Sequence, residues 1–187
     1  AAAFFAKSFS SRTARKVYWA LVVDVPSIED GLIELPLAKQ PGTGGEKMHV
    51  DTEEGLPSRT RYRVIERAGN RAAWLELQPY TGRTHQIRVP LAAIGHPIVG
   101  DTLYGAPQHI LPRLEAPATR LQKAAALQQA ITVDRNFLHA TRLKLTHPES
   151  GSELEFEAPL PPDLHRWLEH LKSPASPAQK TKLRTRH

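Results

Sequence analysis

The alternation of apolar and polar residues predicts two strands near the start of this chain. Val17–Val25 is rich in β-branched and aromatic residues, which favour strands. Gly31–Leu37 alternates Leu, Ile, Glu and Leu and ends beside a proline. The turn-forming residues 29–31 lie between the two segments, so we expect them to form a hairpin.

Two further pairs of segments have the pattern of antiparallel hairpins. They are Thr60–Arg67 with Ala72–Leu77, and Phe137–Leu145 with Glu153–Glu157. The turn residues Gly69-Asn70 join the first pair, and residues 147–151 join the second. The three glutamates of the last segment alternate with Leu154 and Phe156, which indicates a solvated strand face and argues against an acid and base pair.

Four segments have helical composition: residues 1–14, Thr84 to just before Gly95, about Thr119 to Ile131, and Asp163–Leu171. In the second, the Thr84 hydroxyl is expected to cap the helix and Gly95 to end it. Pro90 lies inside that span, so we expect either a kink or a later helix start. Hairpins with a few helices predict the α+β class, a mixed and mainly antiparallel sheet with flanking helices.

Length, composition and charge limit the function. At 187 residues with no cysteine, the chain fits one domain over residues 1–171 without disulfides, followed by a basic, unstructured tail over 172–187. The first 23 residues and the tail carry only basic charges, which suits a polyanion such as RNA; a merely solubilising tail is the alternative. No apolar stretch is long enough to span a membrane, so we expect a cytoplasmic monomer without membrane contact. The Ser, Arg and Phe content of residues 1–16 leaves a mitochondrial location as the alternative.

Two other site types are disfavoured. Gly42, Gly44 and Gly45 lack the strand, the Lys-Ser/Thr pair and the helix of a phosphate loop, so we expect a turn. Nine histidines without a cysteine or a close histidine pair do not suggest a metal site.

The segment Thr81–Arg88 concentrates the groups that could read an anion. A tight turn at Thr81-Gly82 followed by a helix start would leave free backbone N–H groups beside Arg83, His85 and Arg88. Guanidinium groups offer paired donors to phosphate or carboxylate. The residues alone therefore predict an anion site, with a structural cap flanked by surface arginines as the alternative.

The same segment, followed by Gly95–Asp101 and Leu103–Gly105, resembles the RluA-type pseudouridine synthases, which isomerise uridine within RNA. Phe137–Ala140 and His147-Pro148 extend the resemblance to about Leu171. It implies the pseudouridine synthase fold and places Arg88 against the catalytic aspartate. Arg83, Thr84, His85 and Gln86 would then contact the RNA. Val89-Pro90 departs from the family's usual Val-His.

The segment beginning at Lys16 resembles the family's Lys-x-Tyr-x-Ala motif. The resemblance gives Tyr18 the roles of stacking on the target base and acting as general base, and adds Lys16 to the residues that bind RNA. Gly100-Asp101 is read as a turn, and Tyr104 as part of the cleft wall. The family's His-Arg-Leu-Asp segment, which carries the nucleophile, does not occur in this sequence.

The resemblance therefore implies an RNA pseudouridine synthase that acts on ribosomal RNA and needs no cofactor or metal. We interpret the chain as an N-terminally truncated catalytic domain that is inactive alone. In that interpretation, Arg88 and Tyr18 converge on the place of the absent carboxylate. The alternative is a non-catalytic RNA-binding or scaffold protein that retains the fold.

Overall fold

A computed structural model describes residues 3–4, 6–7, 14–42, 44, 47–105 and 135–172. Residues 170–172 are described as backbone only. Within these residues, eight strands and two helices have defined bounds. They are β1 Arg15–Val23, β2 Asp30–Glu34, β3 Leu37–Lys39, β4 Met48–Val50, β5 Arg59–Ala68, β6 Ala72–Pro79, α1 Arg88–Ala93, β7 Leu138–Thr146, β8 Glu153–Glu157 and α2 Pro162–Lys172.

Six strands form one antiparallel sheet in the order β2-β5-β6-β1-β7-β8, and β3 pairs with β4 in a small second sheet. β1 lies between β6 and β7, and its residues 20–23 are buried. The main core lies along this strand. It also includes Phe137, just before β7, and Leu164 of α2. The predicted α+β class is confirmed.

The predicted hairpins β5–β6 and β7–β8 are confirmed. The expected β1–β2 hairpin is wrong, because β2 pairs with β5 and two strands separate it from β1. The turn residues between β1 and β2 predicted that the two strands would pair with each other. In the sheet, however, both neighbours of β1 are other strands, and β2 pairs with β5 at the edge. The turn predicted at Gly42–Gly45 lies between the paired strands β3 and β4, and residues 43 and 45 are outside the described residues.

The helix predicted from Thr84 begins only at Arg88, after Ile87, and its first residue has no side-chain cap. The prediction that Thr84 caps it is therefore wrong. Pro90 is the third residue of α1, in the first turn, where a missing N–H costs no helical hydrogen bond. The predicted end is confirmed, since Gly95 follows the helix with φ of 89°.

After α1 the chain runs along the second half of β1. The amide of Val99 donates to the Leu21 carbonyl at 2.9 Å, and Val22 forms an isolated bridge with Ile98. Gly100 then turns with φ of 76°, and a Cβ at this position would lie 2.4 Å from the Arg135 carbonyl oxygen. The turn predicted at Gly100-Asp101 is confirmed, and it places Asp101 beside Arg88, the first residue of α1.

Three predictions fall wholly or partly outside the described residues: the helix near 119–131, the tail from 173 onward and most of the helix over 1–14. Of the last, the described residues 3, 4, 6 and 7 are helical. The helix predicted over Asp163–Leu171 is confirmed as α2. In the described part of the chain, no helix is long and apolar enough to cross a membrane.

Candidate functional site

The turn before α1 is built around the side chain of Gln86. This residue is 4% exposed, and its amide oxygen accepts from the Thr81 hydroxyl at 2.7 Å and the Arg83 amide at 2.9 Å. Its amide nitrogen donates to the Arg59 carbonyl and to the Thr60 hydroxyl. All four hydrogen-bonding positions are used internally, so Gln86 holds the turn against β5. Its direct contact with RNA stays a prediction.

Three backbone N–H groups in the segment expected to bind an anion are engaged within the chain. The Arg83 amide is taken by Gln86, the Gln86 amide donates to the Arg83 carbonyl, and the Val89 amide donates to the His85 carbonyl. With six residues, α1 is also too short to supply a substantial dipole. The amides of Arg83, Gln86 and Val89 are therefore not free to bind an anion, and the anion site expected at Thr81–Arg88 stays a prediction.

His85 lies at the tip of this turn in a left-handed conformation, with φ of 52°. Such a conformation costs a non-glycine residue on the order of 1 kcal/mol, so the surrounding contacts must hold it there. One contact is the hydrogen bond of 2.6 Å between His85 Nδ1 and the Tyr104 hydroxyl. Burial, aided by the nearby Arg88 charge, lowers the pKa of His85. His85 is therefore a neutral imidazole at pH 7.

Arg88, the first residue of α1, forms a bidentate ion pair with Asp101. Its Nε donates to one carboxylate oxygen at 2.8 Å and its Nη2 to the other at 2.7 Å. The Asp101 side chain is 0% exposed and that of Arg88 20% exposed. Leu103 and Tyr104 add two backbone N–H donors to the same carboxylate. Asp101 therefore fixes the orientation of the guanidinium.

Four donors keep Asp101 ionised in spite of its burial. Burial alone would raise the pKa of this carboxyl group, but the hydrogen bonds from Arg88, Tyr104 and Leu103 and the Arg88 charge outweigh it. The pKa is lowered as a result. Because the carboxylate is enclosed and fully engaged, it cannot attack a substrate.

The other edge of the Arg88 guanidinium stays available. Its central carbon lies 5.0 Å from the centre of the Tyr104 ring, a cation–π distance. In the described part of the chain, Nη1 makes no hydrogen bond. Arg88 is thus held on one side by Asp101 and Tyr104 and can pair with a second acceptor on the other.

Tyr18 projects from the middle of β1, opposite Leu77 of β6 and Ala140 of β7. It is partly buried and packs against the main core, and this burial raises the pKa of its phenol. The phenol is therefore protonated at neutral pH, which suits stacking on a base more readily than accepting a proton. Among the described residues, no hydrogen bond or ring contact joins Tyr18 to Arg88, so their convergence stays a prediction.

Lys16 and Arg83 meet at a different place, a cavity of about 710 Å³. The cavity lies where the start of β1, the end of β6 and the turn after it come together. Its wall contains the five basic residues Arg15, Lys16, Arg83, Arg142 and Lys144, together with Tyr80 and Thr81. Among the residues that the structure describes, no acid lines it. Such a wall suits a polyanion.

The arginines of the molecule differ in how they are compensated. The four arginines of the exposed face of β5 each pair with an acid: Arg59 with Glu34, Arg61 with Asp30, Arg63 with Glu76 and Arg67 with Glu29. Arg142 and Lys144 in the cavity wall also pair with glutamates of β8. By contrast, the Arg83 guanidinium donates to the Pro57 carbonyl and pairs with no acid in the described part of the chain.

Of the seven predicted site residues, the structure therefore brings together two pairs. Lys16 and Arg83 share the basic cavity, and His85 and Arg88 meet at Tyr104. Tyr18 lies on β1, Gln86 is enclosed, and Thr84 is exposed in the turn. None of these last three lines the cavity.

The sequence predicts only a turn at Asp101 and a cleft wall at Tyr104, and it does not predict that these two residues orient Arg88. A signal was present, because Arg88 opens a run of apolar residues that continues through Ala93 and so had to be partly enclosed. An enclosed guanidinium needs a carboxylate. Asp101, set among Pro97, Ile98 and Val99, is an acid in an apolar surrounding with the same need.

Comparisons with known proteins agree with the motifs. The RNA pseudouridylate synthase family matches residues 1–93. The dual-specificity RNA pseudouridine synthase RluA of Escherichia coli K12 is 37% identical over 153 residues, 82% of this chain and 60% of the relative. The ribosomal large subunit pseudouridine synthase D of Nitrosomonas europaea is 36% identical over 168 residues, 90% of this chain and 44% of the relative.

Among solved structures, human RNA pseudouridylate synthase domain containing 4 resembles this chain with a TM-score of 0.65 and 27% identity. The likeness covers 91% of this chain and 67% of that one. The chain spans about half the length of the curated relatives it matches. Motifs, relatives and fold agree, and the chain belongs to the RluA-type family of RNA pseudouridine synthases.

Proposed function

We propose that this chain forms the arginine- and tyrosine-bearing part of an enzyme that isomerises uridine to pseudouridine in RNA. The observation that carries the proposal is the state of Arg88, which Asp101 holds by two nitrogens while Nη1 makes no hydrogen bond with any described residue. A guanidinium held in this way can donate hydrogen bonds to a second carboxylate. That carboxylate is the catalytic aspartate.

Arg88 would keep the aspartate ionised and oriented. A positive charge at hydrogen-bonding distance lowers the pKa of a carboxyl group by about 1 to 3 units, so the nucleophile stays charged at neutral pH. Because the guanidinium is fixed before the substrate arrives, no reorganisation is needed during the reaction.

Tyr18 would stack on the uracil, since an aromatic face binds any base without reading its sequence. The raised pKa of its phenol makes it a weak proton acceptor in the free chain. A role in proton removal therefore requires the pKa to fall when RNA binds, for instance beside a cation.

The proposed reaction moves atoms within one nucleotide. The uridine leaves the RNA stack and the aspartate attacks it. The bond between the ribose and the uracil nitrogen breaks, and the base turns within the pocket. A bond from the ribose to uracil C5 then forms as the bond to the aspartate breaks, the C5 proton leaves and the freed nitrogen gains one. The net composition is unchanged, so no cofactor is required.

The basic cavity would bind the RNA backbone beside this centre. Arg15, Lys16 and Arg83 line it, and each neutralised phosphate contributes salt-sensitive affinity. We propose ribosomal RNA as the substrate, in line with the name of the Nitrosomonas europaea relative. The cytoplasm is the proposed location and the mitochondrion the alternative.

The nucleophile is the part of the proposal that this sequence does not contain, because no His-Arg-Leu-Asp segment occurs in it. We propose that the chain is inactive alone and becomes active when joined to a segment that supplies the aspartate. The second candidate is an RNA-binding or scaffold protein without catalysis, which the basic cavity would also serve.

Tritium release from ribosomal RNA labelled at uracil C5 separates the two candidates. The chain as given should release none, and a fusion with the aspartate-bearing upstream segment of the Escherichia coli relative should release tritium. An aspartate-to-asparagine version of that fusion is the matched control. Turnover by the chain alone would contradict the proposed need for an added aspartate. An inactive fusion that folds and binds RNA would favour the second candidate.

Within the active fusion, Arg88→Ala should abolish turnover, and Arg88→Lys should not restore it, since an ammonium group lacks the planar paired donors. Lys182→Ala in the basic tail should barely change turnover. Thermal denaturation of each variant identifies losses caused by unfolding. Comparable losses at positions 88 and 182 would contradict the assigned roles.

A further inference from the structure

The hydroxyl of Tyr104 connects two other groups. It accepts a hydrogen bond from the Met48 amide at 2.9 Å and lies 2.6 Å from His85 Nδ1. A hydroxyl has a single proton, and an amide N–H can only donate. Tyr104 is 2% exposed, and its hydroxyl has no other acceptor among the described residues, so the hydroxyl proton is assigned to His85 Nδ1.

This arrangement decides the tautomer of the imidazole. When Nδ1 of a neutral histidine accepts a hydrogen bond, the ring proton is on Nε2. The phenol keeps its own proton, because burial raises the pKa of Tyr104. His85 is partly exposed, and its Nε2 makes no hydrogen bond within the part of the chain that the structure describes.

We propose that Tyr104 is a positioning residue that fixes His85 as the Nε2–H tautomer, so that His85 offers a directed donor to an acceptor oxygen of the bound RNA. The proposal rests on the proposed function for its ligand, but its first test does not depend on catalysis.

The left-handed backbone of His85 supports this role. The φ of 52° turns the side chain out of the path that a helix would give it, and Tyr104 holds the ring edge-on at 5.4 Å between centroids. The same Tyr104 ring lies beside the Arg88 guanidinium. One aromatic residue therefore orients both a neutral donor and a cation on the same side of α1.

Nitrogen-15 NMR of the imidazole rings tests the tautomer in the full chain. His85 should show a protonated Nε2 and an unprotonated Nδ1 at pH 7. Two other histidines give internal references, because each faces a carbonyl that can only accept. His96 uses Nδ1 toward Val23 and so carries a proton on Nδ1, whereas His139 uses Nε2 toward Ala158 and carries one on Nε2. An Nδ1–H or doubly protonated His85 would overturn the proposal.

Tyr104→Phe removes the hydroxyl and keeps the ring against Arg88. His85 should then show both tautomers, and affinity for a labelled ribosomal RNA fragment should fall by about 3- to 10-fold, the effect of one hydrogen bond. His85→Ala should lower the affinity by a similar factor, and the double variant should lose no more than His85→Ala. Additive losses would overturn the link between the two residues.

Titration with inorganic phosphate and with uridine identifies the acceptor. A shift of the His85 Nε2 resonance with phosphate alone assigns the RNA backbone, and a shift with uridine alone assigns the base. No shift with either of them or with the RNA fragment overturns the donor role. The tautomer result stands even if the fusion enzyme is inactive, so the two proposals can fail separately.

Discussion

Replacement of Asp101 by asparagine tests the ion pair on which the site depends. The substitution keeps the size of the side chain and one oxygen that can accept from the Leu103 and Tyr104 amides. It removes the negative charge and turns an amide group toward Arg88. The guanidinium, 20% exposed, is then left without its counterion.

The burial of the Arg88–Asp101 pair determines how much unfolding free energy the substitution should remove. The Asp101 side chain is 0% exposed and accepts four hydrogen bonds, two of them from the guanidinium. Removal of one partner from a buried pair costs about 3 to 5 kcal/mol. Arg88 keeps some contact with water, and the asparagine oxygen still accepts from the two backbone N–H groups, so we expect a loss near the lower bound, about 3 kcal/mol. That is a large part of the roughly 5 to 15 kcal/mol of a typical domain.

Urea denaturation followed by tryptophan fluorescence measures the loss as a lower midpoint at constant slope. Asp30→Asn is the matched control, because Asp30 also makes a bidentate pair, with Arg61, but its side chain is 45% exposed. Exposed pairs contribute little, so the control midpoint should barely move. Equal shifts for the two variants would refute the argument from burial.

Acidification gives a second measure of the same pair. The pKa of Asp101 is lowered in the folded chain, so its contribution to stability is complete above the unfolded pKa, about 3.9. The contribution is lost as the pH falls through the lower folded pKa. Unfolding free energy should therefore decrease below about pH 4 in the parent chain, and decrease less steeply in Asp101→Asn.

The remaining predictions compare matched positions. Arg83→Ala should weaken RNA binding and reduce the salt dependence of the affinity by about one counterion. Arg61→Ala should do neither, since Asp30 already pairs with Arg61. Equal effects of the two variants in a binding assay would contradict the assignment of the cavity to RNA. Gly100→Ala should destabilise the chain by more than Gly69→Ala, because both have positive φ but only Gly100 lies against a backbone oxygen. Equal denaturation midpoints would argue against that close approach.

Periodicity predicted the six strands of the main sheet, because a strand with one buried face carries its own pattern, but it did not predict the short strands β3 and β4. β5 alternates exposed arginines with buried Thr60 and Tyr62, and the turn at Gly69-Asn70 leaves only one partner within reach. The partner of β2 could not be predicted in this way. Its own pattern is compatible with either neighbour, and the choice depends on the order of the whole sheet.

Local sequence predicts that α1 begins at Thr84, but a tertiary contact of the preceding turn delays the start of the helix. Thr84 has the side chain of a cap, but the Gln86 amide binds the turn to β5 and delays the helix to Arg88. Propensity alone cannot detect such competition, since the acceptors on β5 lie some 26 residues away along the chain. The motif therefore predicted the wrong start for the helix, and the RNA-binding roles of its side chains stay predictions.

The relative position of Tyr18 and Arg88 is set by a short series of backbone contacts. β1 carries Tyr18, and three residues further along the Leu21 carbonyl receives the Val99 amide. Two residues after Val99, Asp101 holds the guanidinium from below α1. Because Gly100 permits the close turn between them, neither functional group can move far without disturbing the central strand. The site therefore depends on the sheet for its geometry, and the turn at residues 81–87 contributes side chains that we propose to contact the RNA.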